Sequence, residues 1–238
     1  MQPIDLSPRL LYRDAMMLVL DKPAGLAVHP GPKGGDSLDA HFDSLRFGLP
    51  RVPALAHRLD RDTSGCLVLG RHRKALQKLG SLFKAGRIDK SYWAVVDGSP
   101  EAESGTIDLA LGRRDADRGW WMRVDPAGQA ATTEWRVLGR GHGRAWLELR
   151  PLTGRTHQIR VHCAALGWPL VGDAVYGARE AARDKLHLLA RHVAIPLYPG
   201  RPPVEAEAPV PPHMAASLSS LGFRAAPSLP IGAETGPS

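Results

Sequence analysis

Apolar residues along this chain alternate with polar ones in several short runs and recur at helical spacing in a few others. Met17-Leu18-Val19-Leu20 centres an expected strand over residues 13–21, ended by Pro23 and Gly25. Gly65-Cys66-Leu67-Val68-Leu69-Gly70 is a glycine-bracketed apolar run, the pattern of a short buried strand. Over residues 90–96, Tyr92, Ala94 and Val96 alternate with Trp93 and Val95, a period of two that gives a strand with two distinct faces. Residues 132–137 and 144–149 read as further strands, and 186–189 and 192–197 are short and apolar. Leu76, Leu79, Leu82 and Phe83 recur at helical spacing opposite lysines, which predicts a helix over 73–84 stopped by Gly86. Leu38, Phe42 and Leu45 predict a second helix over 38–47 capped by Ser37, and a third is expected over 156–166, after Thr153-Gly154. Residues 98–131, dense in Gly, Asp and Arg, predict short strands and turns. Strands outnumber helices and several are adjacent, so the expected class is α+β, a mixed and mainly antiparallel central sheet flanked by helices.

Proline dominates from Pro196 to Pro212, and the last residues are rich in Ala, Pro, Ser and Gly. The expected organisation is an extension over residues 1–9, one catalytic-sized domain over 10–214, and a partly disordered tail over 215–238. No stretch approaches the roughly 20 apolar residues a membrane helix needs, and the first residues lack the basic-then-apolar order of a secretory signal. A cytoplasmic monomer with no membrane association is the resulting expectation. Cys66 and Cys163 are distant and outside any CxxC pair, which argues for two reduced thiols and against a cysteine metal site. With 31 basic residues against 24 acidic, the formal charge is +7. Many of the cations are arginines, clustered at Arg71-His72-Arg73-Lys74, at Arg113-Arg114, and at Arg136, Arg140 and Arg144. Such a surface suits a polyanion such as nucleic acid.

Three segments carry candidate chemistry. Ala56-His57-Arg58-Leu59-Asp60-Arg61-Asp62-Thr63-Ser64-Gly65 places two carboxylates and two arginines in a loop that feeds a buried strand. Taken alone, it reads most simply as a turn in which Asp62, Thr63 and Ser64 bond backbone amides and Asp60 sits in a salt bridge. Leu152-Thr153-Gly154-Arg155-Thr156-His157-Gln158-Ile159-Arg160-Val161-His162 brings two arginines and two histidines to a helix start, an arrangement suited to an anion or to a solvated basic face. Zinc fits poorly, because His157 and His162 lie five apart with no general-base Glu after His157. Lys90-Ser91-Tyr92 puts a tyrosine on a strand, either as core or as a ring for stacking on an unpaired base.

Together these segments resemble one family, the RluA-type pseudouridine synthases. His57-Arg58-Leu59-Asp60 with Thr63-Ser64-Gly65 resembles its signature, and Arg155-Thr156-His157-Gln158-Ile159-Arg160-Val161-His162 its second block. Asp21-Lys22-Pro23-Ala24-Gly25-Leu26 resembles its opening strand and turn, Lys90-Ser91-Tyr92 its tyrosine block, and Gly172-Asp173 through Tyr176-Gly177 the stretch after the helix. Gly167-Trp168-Pro169, where the family commonly has Gly-His-Pro, and a displaced His187 are departures. The catalytic region begins almost at Met1, so the S4 RNA-binding domain of many relatives is not expected.

The resemblance implies an RNA pseudouridine synthase acting on ribosomal RNA, tRNA or both, with neither cofactor nor metal. It implies Asp60 as the essential carboxylate, working by covalent attack or through a glycal intermediate. It implies Arg160 as the partner of that carboxylate, Tyr92 as the ring against the target base, and Arg58 as the side chain that takes the place of the flipped base. Arg155, His157 and Lys22 are further candidates for RNA contact, and Asp62 reads as a turn former. Two rivals stand beside this reading. One is a non-catalytic RNA-binding protein on the same fold. The other is a phosphatase of the haloacid dehalogenase type, suggested by Asp60-Arg61-Asp62-Thr63, although its threonine comes one residue early.

Overall fold

The computed structural model describes residues 4–31, 34–114, 121–177 and 184–224. A bent antiparallel pair, β1 (Leu10–Arg13) and β2 (Met17–Lys22), opens the chain. Beside β2 runs β4 (Ser64–Gly70), and the short β3 (Ala54–Leu55) also pairs with β4. After helix α1 (Arg73–Lys84) come β5 (Asp89–Asp97) and β6 (Ser104–Asp108), then a separate hairpin of β7 (Leu111–Arg113) and β8 (Met122–Val124). The long strands β9 (Thr132–Gly141) and β10 (Arg144–Pro151) lead into helix α2 (Gln158–Ala165). The chain closes with β11 (Leu188–Ile195), β12 (Val204–Glu207) and helix α3 (Pro212–Ser220). The main sheet runs β1-β2-β4-β11-β5-β10-β9-β6, with β12 on β11 and β3 on β4. Among the described strands only β4 and β11 pair in parallel. The α+β class and the mixed, mainly antiparallel sheet agree with the sequence pattern.

Alternation along the strands sorts side chains onto two faces. Met17, Val19, Val68, Val95, Leu189 and Val193 point to the face covered by α1, through Leu79 and Leu82, and by α3, through Met214 and Leu218. On the opposite face, Leu18, Leu20, Leu67 and Leu69 pack on Leu38, Phe42 and Leu45. Further along that face, Ala94, Val96, Leu147 and Leu149 pack on Ile159 and Cys163 of α2. Tyr92 lies where these last two clusters meet and touches both.

Several expectations change. The 38–47 segment buries the predicted face but winds as a 3-10 helix, Leu38–Leu45, and Ser37 makes no side-chain cap. Its polar groups are engaged across the segment instead, with His41 bonded to Asp36 and His29 to Asp39. The two apolar runs after residue 185 are one strand, β11, interrupted by a register shift between Ala190 and His192. The expected domain limits at residues 10 and 214 are too narrow: Leu6 is buried, as are Leu218 and Leu221, and Phe223 stacks edge-on against Trp93 and Trp146. Residues 1–3 of the expected extension and 225–238 of the expected tail lie outside the described residues.

Gly65, the second residue of β4, has φ +101, and a Cβ there would sit 2.3 Å from the Ala190 carbonyl oxygen. Any side chain would therefore prise β4 from β11 at the base of the Asp60 loop. Gly65→Ala is expected to destabilise the protein by about 2 kcal/mol or more, read as a lower midpoint in urea denaturation; a loss under about 0.5 kcal/mol would contradict this close approach.

Candidate active site

The loop between β3 and β4 carries Asp60 and is held from several sides. Leu59 is buried among Leu20, Phe42 and their neighbours. His57 accepts the Val68 N–H at Nε2, 3.0 Å, and its ring stacks on Phe83 with centroids 4.5 Å apart. Burial, helped by the charge of Lys90, pushes the His57 pKa down to about 3, so it is a neutral structural group. The Thr63 N–H closes a turn onto the Asp60 carbonyl, and the Ser64 hydroxyl donates to the Leu188 carbonyl on β11.

The Arg61 carbonyl is the second anchor. It accepts the Gly25 N–H at 2.9 Å and the Lys22 ammonium at 2.8 Å. Lys22 also donates to the Pro23 carbonyl at 2.8 Å and has no solvent exposure, 0%. Expected from sequence as an RNA contact, Lys22 is instead a clamp behind the loop. Burial pulls its pKa down to about 8, against the opposing pull of Asp62 and Asp60. The Lys-Pro-x-Gly turn thus fixes the loop, a role that neighbouring positions in the chain do not reveal.

Asp60 itself is 28% exposed, and α2 brings two nitrogens to its Oδ2: Arg160 Nη1 at 3.5 Å and His157 Nε2 at 3.7 Å. Arg160 is buried and spends its fork on Asp173, with Nε to Oδ2 at 2.7 Å and Nη2 to Oδ1 at 2.8 Å. Asp173 Oδ1 also accepts the backbone N–H groups of Val175 and Tyr176. Burial raises the pKa of Asp173, but the Arg160 bonds and charge outweigh it and hold the carboxyl below its usual range; burial likewise opposes a net rise for Arg160. His157 bonds Tyr176 through Nδ1 at 2.8 Å, and burial lowers its pKa despite the Asp60 charge.

Gln158 sets this helix start. Its buried carboxamide accepts from the Thr153 hydroxyl and the Arg155 N–H, and donates to the Thr132 carbonyl and the Thr133 hydroxyl. His162 is wholly buried between the Thr133 hydroxyl and the Leu109 carbonyl. Tyr92 projects from β5 toward Asp60; burial first, then the Asp60 charge, raise its pKa and keep the phenol neutral. The Arg58 side chain is exposed and makes no hydrogen bond or ion pair among the described residues. Arg155 lies half-buried nearby, its Nε donating to the Ala130 carbonyl.

Asp60, Arg160 and His157 therefore converge, with Tyr92 close enough to feel the Asp60 charge; Arg58 and Arg155 each stand two residues before one of them in the chain, and Lys22 lies behind the loop. Sequence reasoning assigned no part in the site to Asp173 and Tyr176. The available signal was Arg160 itself, since an arginine on a helix that turns inward must find a carboxylate. The cluster of Arg136, Arg140 and Arg144 is elsewhere, on β9 and β10, engaged with Glu148, Glu103 and Asp97. Among the described residues, no group of three or more His, Cys, Asp or Glu side chains is placed to hold a metal ion, and no helix is long and apolar enough to cross a membrane.

Lys22 supplies a pH test. Its folded pKa of about 8 lies below the ordinary 10.5, so between these values the unfolded chain binds more protons and stability rises with pH. Relative to Lys22→Met, the wild-type protein is expected to gain on the order of 3 kcal/mol across that window, measured by urea denaturation at stepped pH. Parallel curves for the two proteins would contradict a buried ammonium.

Comparison with known proteins identifies the family. A family model described as RNA pseudouridylate synthase matches residues 16–165. An uncharacterised RNA pseudouridine synthase of Zymomonas mobilis is 41% identical over 220 residues, which cover 92% of this chain and 99% of that one. Ribosomal large subunit pseudouridine synthase D of Pseudomonas aeruginosa is 41% identical over 180 residues, which cover 74% of this chain and 55% of the relative. The solved structure of human RNA Pseudouridylate Synthase Domain Containing 4 aligns with TM-score 0.78 at 26% identity, over 91% of this chain and 94% of that one. The chain thus spans nearly the whole of one relative and about half of another, and it belongs to the RNA pseudouridine synthase family, in the RluA-type group that the His57-to-Gly65 run resembles.

Proposed function

We propose that this chain isomerises uridine to pseudouridine in structured RNA, with Asp60 as the essential carboxylate. The observation that carries the proposal is the convergence on Asp60 of Arg160 and His157 from α2, beside the ring of Tyr92. The reaction breaks the bond between uracil N1 and ribose C1′, turns the base, and rejoins C1′ to C5, from which a proton leaves. Either route, attack by the carboxylate or removal of a ribose proton, uses the carboxylate form of Asp60, and the Arg160 guanidinium stands 3.5 Å from its Oδ2. Tyr92 offers its ring to the uracil as a neutral surface. Arg58, exposed two residues before Asp60, is suited to enter the duplex as the nucleotide leaves it, offsetting the few kcal/mol of extrusion. Arg155, at the same rim, suits phosphate.

The name of the Pseudomonas relative supports ribosomal RNA as a substrate, with tRNA as the other class in the reading. A monomer working in the cytoplasm completes the proposal. A binding protein alone has no use for a carboxylate facing a polyanion, which disfavours the non-catalytic alternative. The phosphatase alternative needs a second acidic group for magnesium, and Asp173 is already committed to Arg160.

Asp60→Asn is expected to lower tritium release from 5-tritiated uridine in RNA by more than roughly a thousandfold, while Asp62→Ala, which loses an exposed pair with Arg61, retains activity. The reverse pattern would move the chemistry to Asp62.

A further inference from the structure

Tyr176 lies outside every segment assigned to the reaction, yet it is tied to Asp60 through a single side chain. Its hydroxyl oxygen accepts the Met122 N–H of β8 at 3.0 Å. The same hydroxyl lies 2.8 Å from His157 Nδ1. While the oxygen accepts the Met122 amide, the phenol hydrogen remains to be donated, and Nδ1 is the acceptor beside it; we take this direction for the bond. A neutral imidazole that accepts at Nδ1 carries its hydrogen on Nε2. Nε2 is the atom that faces Asp60 Oδ2, 3.7 Å away. The opposite tautomer would aim a lone pair at a carboxylate oxygen.

Two independent features agree that this placement is built. His157 holds a left-handed backbone, φ 53 and ψ 19, a conformation uncommon for a residue other than glycine and often stored at functional sites. Gln158, the next residue, locks that conformation with four hydrogen bonds to β9 and the preceding loop. Tyr176 is fixed as well: its own N–H bonds Asp173 Oδ1, and its ring lies under the Arg160 guanidinium, 5.1 Å from the centroid. Gly172, at the head of this turn, has φ +77 and no room for a Cβ, which would fall 2.2 Å from the Lys185 carbonyl oxygen. His157 is only 9% exposed, so it is poorly placed for the RNA contact expected from sequence.

We infer that Tyr176 is a positioning residue for the reaction: through His157 it aims a neutral N–H toward Asp60, 3.7 Å away, beside the charged Arg160. This rests on the reading of Asp60 as the reacting carboxylate. Arg160 brings charge to the carboxylate, whereas His157 brings a directional hydrogen without adding charge. Because burial keeps His157 neutral, the direction of its hydrogen depends on what bonds Nδ1, and that partner is Tyr176.

The test is a cycle of variants assayed by tritium release from 5-tritiated uridine in RNA. Tyr176→Phe is expected to lower kcat about tenfold, with KM and melting temperature little changed. His157→Gln supplies an amide N–H whose direction does not depend on Tyr176, so adding Tyr176→Phe to it should change kcat by less than about twofold. His157→Ala deletes the donor and should fall at least as far as Tyr176→Phe, which keeps the inference testable if the phenylalanine variant folds poorly. Tyr176→Phe or His157→Ala with kcat within twofold of wild type would overturn it, as would an equal loss from Tyr176→Phe in the His157→Gln background. An active Asp60→Asn enzyme would instead bring down the reading of Asp60 on which it rests.

Discussion

The site depends on one buried guanidinium. Arg160 gives two nitrogens to Asp173 and leaves the third, Nη1, beside Asp60. A cation with so little exposure is tolerable only when paired and fully hydrogen-bonded, and removing one partner of such a pair typically costs about 3–5 kcal/mol. Asp173 meets that condition and is itself held by two backbone amides. The consequence is geometric as much as energetic. Because the fork is occupied, Arg160 cannot close bidentately on Asp60 and neutralise it as a locked salt bridge. It stands at 3.5 Å, near enough to place a positive charge beside the carboxylate and far enough to leave it room to react.

The remaining architecture brings the two sides of this contact together. Asp60 comes from the loop before β4, fastened from behind by Lys22 and Gly25 on one carbonyl and by His57 on β4. Arg160 comes from α2, fastened to β9 by Gln158 and packed on the sheet through Ile159 and Cys163. Between them run β11 and β5, and Tyr92 on β5 bridges the two core clusters on that face. The groups that hold the site are buried, while Arg58 and Arg61 at its rim are exposed, the division expected of a rigid scaffold presenting a reactive loop to a large polyanion.

Much of this was legible in the chain. The period of two in β5, the glycine-bracketed run of β4 and the leucine spacing of α1 each report local burial, and local burial is what periodicity encodes. Features that depend on distant partners were not legible. Prolines concealed β12 and α3, although Pro212 sits where a first helical turn tolerates it. A bulge split β11 into two apparent runs. Lys22 read as a surface cation because nothing beside it in sequence shows that two carbonyls, one of them 39 residues away, receive its ammonium. Asp173 and Tyr176 went unassigned for the same reason: their partners lie 13 and 19 residues back, on α2 and at its start.

The most direct test of the shared guanidinium is Arg160→Lys, which keeps the charge and loses the fork. A lysine ammonium is a point donor and cannot satisfy Asp173 through two parallel bonds while also standing beside Asp60. Tritium release by the folded Arg160→Lys protein should fall by roughly a hundredfold or more. Activity within twofold of wild type would show that charge alone suffices and would contradict the forked arrangement as the basis of the site.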